Sequence, residues 1–158
     1  MTQTQHSTPS APPQLDPWIA FLRTHSAITR ELSAQLQREH GLTLNDYEVL
    51  LHLSHAEGGM MRRVDLAETV LLTASGITRL LEGLEGAGFV CKETCSSDAR
   101  VSYAKLTDAG AEKLREAAVT HLRGIDELFL GRYSGSELAT LAELLSRLPV
   151  TGKPSACS

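Results

Sequence analysis

The sequence predicts a mainly α-helical protein with a small β wing, in which a winged helix-turn-helix lobe comes from the middle of the chain and a helical lobe from its two ends. Three observations carry this expectation. Residues 73–107, TASGITRLLEGLEGAGFVCKETCSSDARVSYAKLT, run from a capped amphipathic helix through a glycine turn into two strand-like stretches. A shorter apolar-periodic stretch, VDLAETV, stands just before it, as the first helix of such a pair would. Both chain ends then carry leucine-rich helical patterns.

In chain order, residues 1–14, MTQTQHSTPSAPPQ, hold almost no apolar side chains and are expected to be a disordered tail. Pro17 suits the first turn of a helix running to about His40, with Trp18, Leu22, Ile28, Leu32 and Leu36 on one side and Gly41 as its stop. His25 falls on or beside that apolar face, as a core histidine with a satisfied hydrogen bond or as the lining of a pocket. Thr43 caps a second helix carrying Tyr47, Leu50, Leu51 and Leu53. His52 and His55 are three apart near its end, yet no third ligand stands at helical spacing, so neither a metal nor a cofactor is expected. Gly58-Gly59 breaks the helix, and Met60-Met61 is expected to form a short strand against the wing. Arg62 and Arg63 precede a helix whose Leu66, Ala67, Val70 and Leu71 face inward. They read either as phosphate contacts or as a solvated pair near Asp65.

The central stretch follows. Thr73 caps a helix that buries Ile77, Leu80, Leu81 and Leu84, while Ser75, Arg79 and Glu82, with Thr78 on their shoulder, form the opposite stripe. That short polar face is a solvated surface or one kept small so that something can approach it. Gly86 and Gly88 are expected to supply positive-φ positions for a sharp stop, Phe89-Val90 to begin a strand, and residues 101–106 to form a second. A helix, turn and hairpin in this order suit the DNA major groove and the flanking backbone or minor groove. Thr107 then caps a long helix with Leu114, Ala118, Leu122, Ile125 and Phe129 on one stripe and Gly131 at its end. Ser134-Gly135-Ser136-Glu137 is a capping box opening a last helix with Leu138, Leu141, Leu145 and Leu148. Leu144 and Ala142 widen that face beyond one neighbour's reach, so a partner subunit is expected to cover it. Residues 149–158 read as a tail.

Composition sets bounds. A chain of 158 residues can bury a real interior, and no run of 18 apolar residues predicts a membrane span. The start lacks the pattern of a secretory signal, and three cysteines without scaffold-like spacing fit a reducing cytoplasm. Cys91 and Cys95, four apart on a predicted strand, would lie about 13 Å apart, beyond disulfide reach. The formal charge is −4, but residues 60–106 are neutral, with six Lys or Arg against six Asp or Glu. Phosphate binding would then rest on where a few cations point. No glycine-rich phosphate loop, G-x-S-x-G, H-E-x-x-H or C-x-x-C stands in the chain, so no enzyme is expected.

ITRLLEGLEGAGFV, the D-x-R of Asp98 and Arg100, the L-T-x-x-G of Leu106, Thr107 and Gly110, and upstream GLTLNDYEVLLHL and VDLAETV together resemble the MarR family of bacterial winged-helix regulators, over roughly residues 15–148. The resemblance implies one domain over 15–148, with the winged helix-turn-helix at about 43–106 and dimerisation helices at about 15–40 and 107–148. It implies a homodimeric repressor that binds a pseudo-palindromic operator in double-stranded DNA and responds to a small effector held between the lobes. The expected DNA-binding residues are Arg62, Arg63, Thr73, Ser75, Thr78, Arg79, Lys92, Asp98 and Arg100. For an aromatic or phenolic effector they are Trp18, Arg23, His25, Tyr47 and His52, and for the dimer interface Trp18, Ile19, Leu22, Leu138, Leu141, Leu145 and Leu148. Three features depart from the family pattern. Val90, Cys91 and Lys92 stand where the entering strand often carries an arginine, Arg100 is the wing's only arginine, and Gly83 and Gly86 weaken the recognition helix by up to about 1 kcal/mol each. Oxidation-sensing members place their reactive cysteine in the first helix, which has none here, so peroxide sensing is not expected as the main function. The alternative is a winged-helix module that binds protein rather than specific DNA.

Overall fold

The computed structural model describes residues 15–70, 72–94 and 100–149. Among these, the order is α1 (Asp16–His40), α2 (Leu44–His55), β1 (Met60–Arg62), α3 (Arg63–Thr69), α4 (Ala74–Gly86), β2 (Val90–Thr94), β3 (Ser102–Leu106), α5 (Asp108–Leu128) and α6 (Gly135–Leu145). The expected tails, apart from Pro149, lie outside the described residues, as do Leu71 and wing-tip residues 95–99. No helix among the described residues is long and apolar enough to cross a membrane.

Local chemistry places most helix ends. Pro17 sits in the first turn of α1, and Gly41 ends that helix at φ 70°, its N–H donating to the Gln37 carbonyl. Thr43 and Asp46 form a reciprocal capping box on α2, and Ser134 and Glu137 form another on α6. The Thr73 hydroxyl accepts the Gly76 N–H at the start of α4. The same helix ends in a Schellman motif: the Phe89 N–H reaches the Leu84 carbonyl and the Gly88 N–H the Glu85 carbonyl. Gly88 alone takes the left-handed conformation, at φ 78°. Gly86, expected to share that role, is the last helical residue, because one αL position is enough to close the motif.

The three short strands form one antiparallel sheet in the order β1-β3-β2, so the Met60-Met61 strand pairs where the sequence put it. Val90 opposite Leu106 and Thr94 opposite Ser102 fix the hairpin register. Val90 and Ala104 are buried under α4 and α2, whereas Cys91 on the other side of β2 is exposed.

One core runs from Leu36 of α1 through Tyr47, Leu50 and Leu53 of α2, Leu66 of α3 and Ile77, Leu81 and Leu84 of α4 to Leu114 and Ala117 of α5. The two lobes therefore share an interior. The face α5 turns to that core differs from the expected stripe. Gly110, Leu114, Ala117, Thr120 and Gly124 are buried, while Leu122 is 63% exposed. The reason is close packing. A Cβ on Gly124 would stand 2.3 Å from Oε1 of Gln35 and 2.8 Å from Cδ2 of Leu32, so α1 lies against a face of small side chains that a search for leucines overlooks. α5 also stops at Leu128 rather than Gly131, with a 3-10 turn (Leu130–Arg132) following it. α6 has no buried residue, and the first half of α1 is likewise uncovered, with Trp18 56% exposed and Ile19 half-buried.

Candidate nucleic-acid interface

Burying Ile77, Leu81 and Leu84 fixes the rotation of α4, and the opposite stripe follows by geometry. Ser75, Thr78, Arg79 and Glu82 are all exposed on it. The Thr73 and Ser75 hydroxyls lie 3.3 Å apart at the helix start. Neither Arg79 nor Lys92 has a hydrogen bond or ion pair among the described residues. Lys92 pairs with Ala104 in the sheet register and so leaves β2 on the Val90 side, toward the helices. Arg100 is exposed at the return into β3, and Asp98 lies outside the described residues.

Arg62, Arg63 and Lys105 of this lobe are engaged. Arg62 makes two hydrogen bonds of 2.8 Å to the Asp65 carboxylate, which raise the arginine's pKa and hold the aspartate below its usual range. Arg63 is half-buried 3.6 Å from Glu85, a carboxylate whose buried Oε1 has no hydrogen bond, and so it ties α3 to the end of α4. Lys105 bonds Glu93 across the hairpin at 2.9 Å. The Arg62 pair is exposed to solvent, so a phosphate could exchange with it. Arg63, half-buried against Glu85, is the less exposed of the two arginines.

The expected effector residues are not gathered in one place. The Trp18, Phe21 and His25 rings stack in sequence along α1, with centroids 6.2 and 6.3 Å apart. His25 is exposed rather than a core residue, and with Phe21, Ile28, Phe129, Tyr133 and Leu141 it lines a groove of about 530 Å³ between α1, the end of α5 and α6. Arg23 is exposed. Tyr47 belongs to the core, its ring 4.5 Å from that of His121. His52 is half-buried on α2, and burial, then the nearby His55, lowers its pKa. Among the described residues no group of three or more His, Cys, Asp or Glu is placed to hold a metal ion.

A polar cluster joining α1 to α5 escaped the sequence reading. The buried Thr120 hydroxyl donates to Glu39 (2.8 Å), whose carboxylate also takes Arg123 at 2.7 Å, and Thr120 Oγ1 lies 2.8 Å from His40 Nε2. Since Thr120 gives its proton to Glu39, His40 must donate from Nε2. These hydrogen bonds hold Glu39 below its usual range, Thr120 first and Arg123 next. Only the helical spacing of Thr120 from Ala117 and Gly124 could have pointed to it.

Residues 31–117 match the family model described as transcriptional regulator SarA/Rot. The chain is 31% identical over 107 residues to the transcriptional regulator HosA of Escherichia coli O111:H-, covering 68% of this chain and 77% of that protein. It is 24% identical over 136 residues to the HTH-type transcriptional regulator MhqR of Bacillus subtilis, covering 86% and 91%. Its structure superposes on that of AbsC, a MarR family transcriptional regulator from Streptomyces coelicolor, with a TM-score of 0.78 and 32% identity over 89% of this chain and 95% of that one. A second MarR family regulator of Streptomyces coelicolor, solved in complex with DNA, superposes with a TM-score of 0.78 and 29% identity over 88% and 90%. The winged helix-turn-helix, the helices from both chain ends and these likenesses together make this chain a member of the MarR family of transcriptional regulators.

Proposed function

We propose that the protein is a homodimeric DNA-binding repressor that recognises a pseudo-palindromic operator and releases it on binding a small molecule. The observation that carries this reading is the exposed stripe Ser75–Thr78–Arg79 on α4. Dimerisation is supported by the uncovered apolar surface of α1 and α6, where Trp18, Leu22, Leu144 and Leu145 are exposed, with Leu148 just beyond α6. Two-fold pairing presents two recognition helices, so half-sites sit about one helical turn of DNA apart.

The two arginines carry unequal roles. Arg79, one turn beyond Ser75, reaches base edges, and a bidentate contact to guanine gives roughly 1–3 kcal/mol of discrimination. Arg79→Ala therefore weakens the operator more than random duplex. Arg100 responds to groove width and potential at the wing, so Arg100→Ala weakens both duplexes and lowers the salt slope by about one per arginine removed. Titrations of both variants against both duplexes at several salt concentrations test this. Undiminished operator binding by Arg100→Ala, or a chain that stays monomeric at micromolar concentration, overturns it. The alternative, a protein-binding module, is favoured by the ion pairs that occupy Arg62, Arg63 and Lys105. Retention on generic duplex at low salt separates the two.

For the effector, the groove beside His25 is the proposed seat, since it is lined by aromatic and aliphatic side chains and has the size of small-ligand sites. A ligand there, on the face proposed for the partner subunit, shifts DNA affinity only by favouring one spacing of the dimer's two winged lobes. A thermal-shift screen of phenolic and aromatic acids, repeated with His25→Ala, tests the location.

A further inference from the structure

Glu82 lies three residues past Arg79 on the exposed side of α4. It has no hydrogen bond or ion pair among the described residues, even with Arg79. Other acids of the winged lobe do meet cations: Asp65 holds Arg62, Glu85 faces Arg63 and Glu93 takes Lys105. An unneutralised carboxylate on the face proposed to enter the groove opposes every duplex alike, because each brings the same phosphates. It stabilises a complex only where a base offers it a donor.

Major-groove edges offer two donors, the N4 amino group of cytosine and the N6 amino group of adenine. An ionised carboxylate has no proton to give, so guanine N7 and O6 and thymine O4 repel it. Adenine sets its N7 acceptor beside N6, which disfavours the second carboxylate oxygen. Cytosine N4 has an acceptor on one side only, O6 of its paired guanine, whereas adenine N6 lies between its own N7 and thymine O4. Along the helix, Arg79 and Glu82 are about 4.5 Å apart in rise, comparable to the spacing of about 3.4 Å between stacked bases.

We infer that Glu82 is a specificity-determining residue, which accepts a hydrogen bond from cytosine N4 beside the base pair that Arg79 contacts. It also lowers affinity for all other duplexes. The inference rests on the DNA-binding reading above and adds a base identity to it.

The test selects duplexes from a randomised pool with the full chain, with Glu82→Ala and with Glu82→Gln. It then measures Kd on the selected site, on its single-pair variants and on random duplex at one salt concentration. Wild type is expected to require cytosine at one position per half-site. Glu82→Ala loses roughly 5- to 150-fold of discrimination there and binds random duplex more tightly. Glu82→Gln, whose amide matches adenine N6 and N7, moves the preference at that position toward adenine. If all three proteins select the same site with the same base preference throughout, the role of Glu82 is overturned and DNA recognition stands. If wild type selects no sequence, the DNA-binding reading falls and this inference with it.

Discussion

At the scale of single residues, two helical glycines carry opposite consequences. At Gly110 a Cβ would stand 2.0 Å from the Phe89 carbonyl oxygen and 2.8 Å from Leu106 Cδ1. The first obstacle is backbone and cannot swing aside, so Gly110→Ala is expected to destabilise the fold by about 1–3 kcal/mol. At Gly83, on the exposed side of α4, a Cβ would meet nothing within 4 Å. Gly83→Ala is expected to stabilise by up to about 1 kcal/mol through helix propensity alone. Urea unfolding of the two variants checks the opposite signs. The sequence marked Gly110 as part of a motif without supplying its reason, because the carbonyl that needs the space comes from the turn before β2.

At the scale of elements, the end of α4 and the start of α5 are one construction. The Thr107 hydroxyl accepts the Gly110 N–H at 3.0 Å, capping α5, and donates to the Gly88 carbonyl at 2.6 Å. The Thr107 N–H donates to Phe89 O, closing the junction beside the wing. Thr107→Ala is expected to cost about 1–2 kcal/mol, and Thr107→Ser to recover most of it, since the hydroxyl and not the methyl makes both bonds. Denaturation midpoints of the pair test this. Caps such as Thr43, Thr73, Thr107 and Ser134 were legible in the sequence because donor and acceptor lie within three residues. The buried face of α5 was not, because Gly110, Ala117 and Gly124 become core only when another segment lies against them.

At the scale of the whole molecule, the junction between the winged lobe and the α1–α5 pair contains groups sensitive to pH. His121 packs its ring on Tyr47, and its buried Nδ1 has no hydrogen-bond partner. Burial lowers its pKa from the usual 6.5, and His52 shifts in the same direction. A histidine whose folded pKa is depressed binds fewer protons in the native state than when unfolded. Its contribution is therefore present above the unfolded value of about 6.5 and is lost as the pH falls through the folded one. Glu48, raised by burial, acts in the opposite sense, and the lowered carboxyls of Glu39, Asp65 and Glu137 act below their usual range. The melting temperature is expected to fall on acidification from about pH 7 to 5. His121→Phe, which keeps a ring on Tyr47 but cannot be protonated, should flatten that fall. An unchanged slope in the variant would show that His121 does not set it.

The amino-acid sequence by itself determined the order of elements, their caps, the hairpin and the exposed stripe of α4, since each follows from side chains within a few residues of one another or from one helical period. Tertiary structure decided what those side chains face. It placed Tyr47 in the core and His25 on an open groove, although both are polar or aromatic groups on largely apolar helices. It tied Arg62 to Asp65 within a turn and Arg63 to Glu85 on another helix, although the two arginines are neighbours in the chain. It assembled the Glu39–Thr120–Arg123 cluster from residues about eighty positions apart. Periodicity fixes how a helix divides its surface, but which part is covered depends on where distant segments pack.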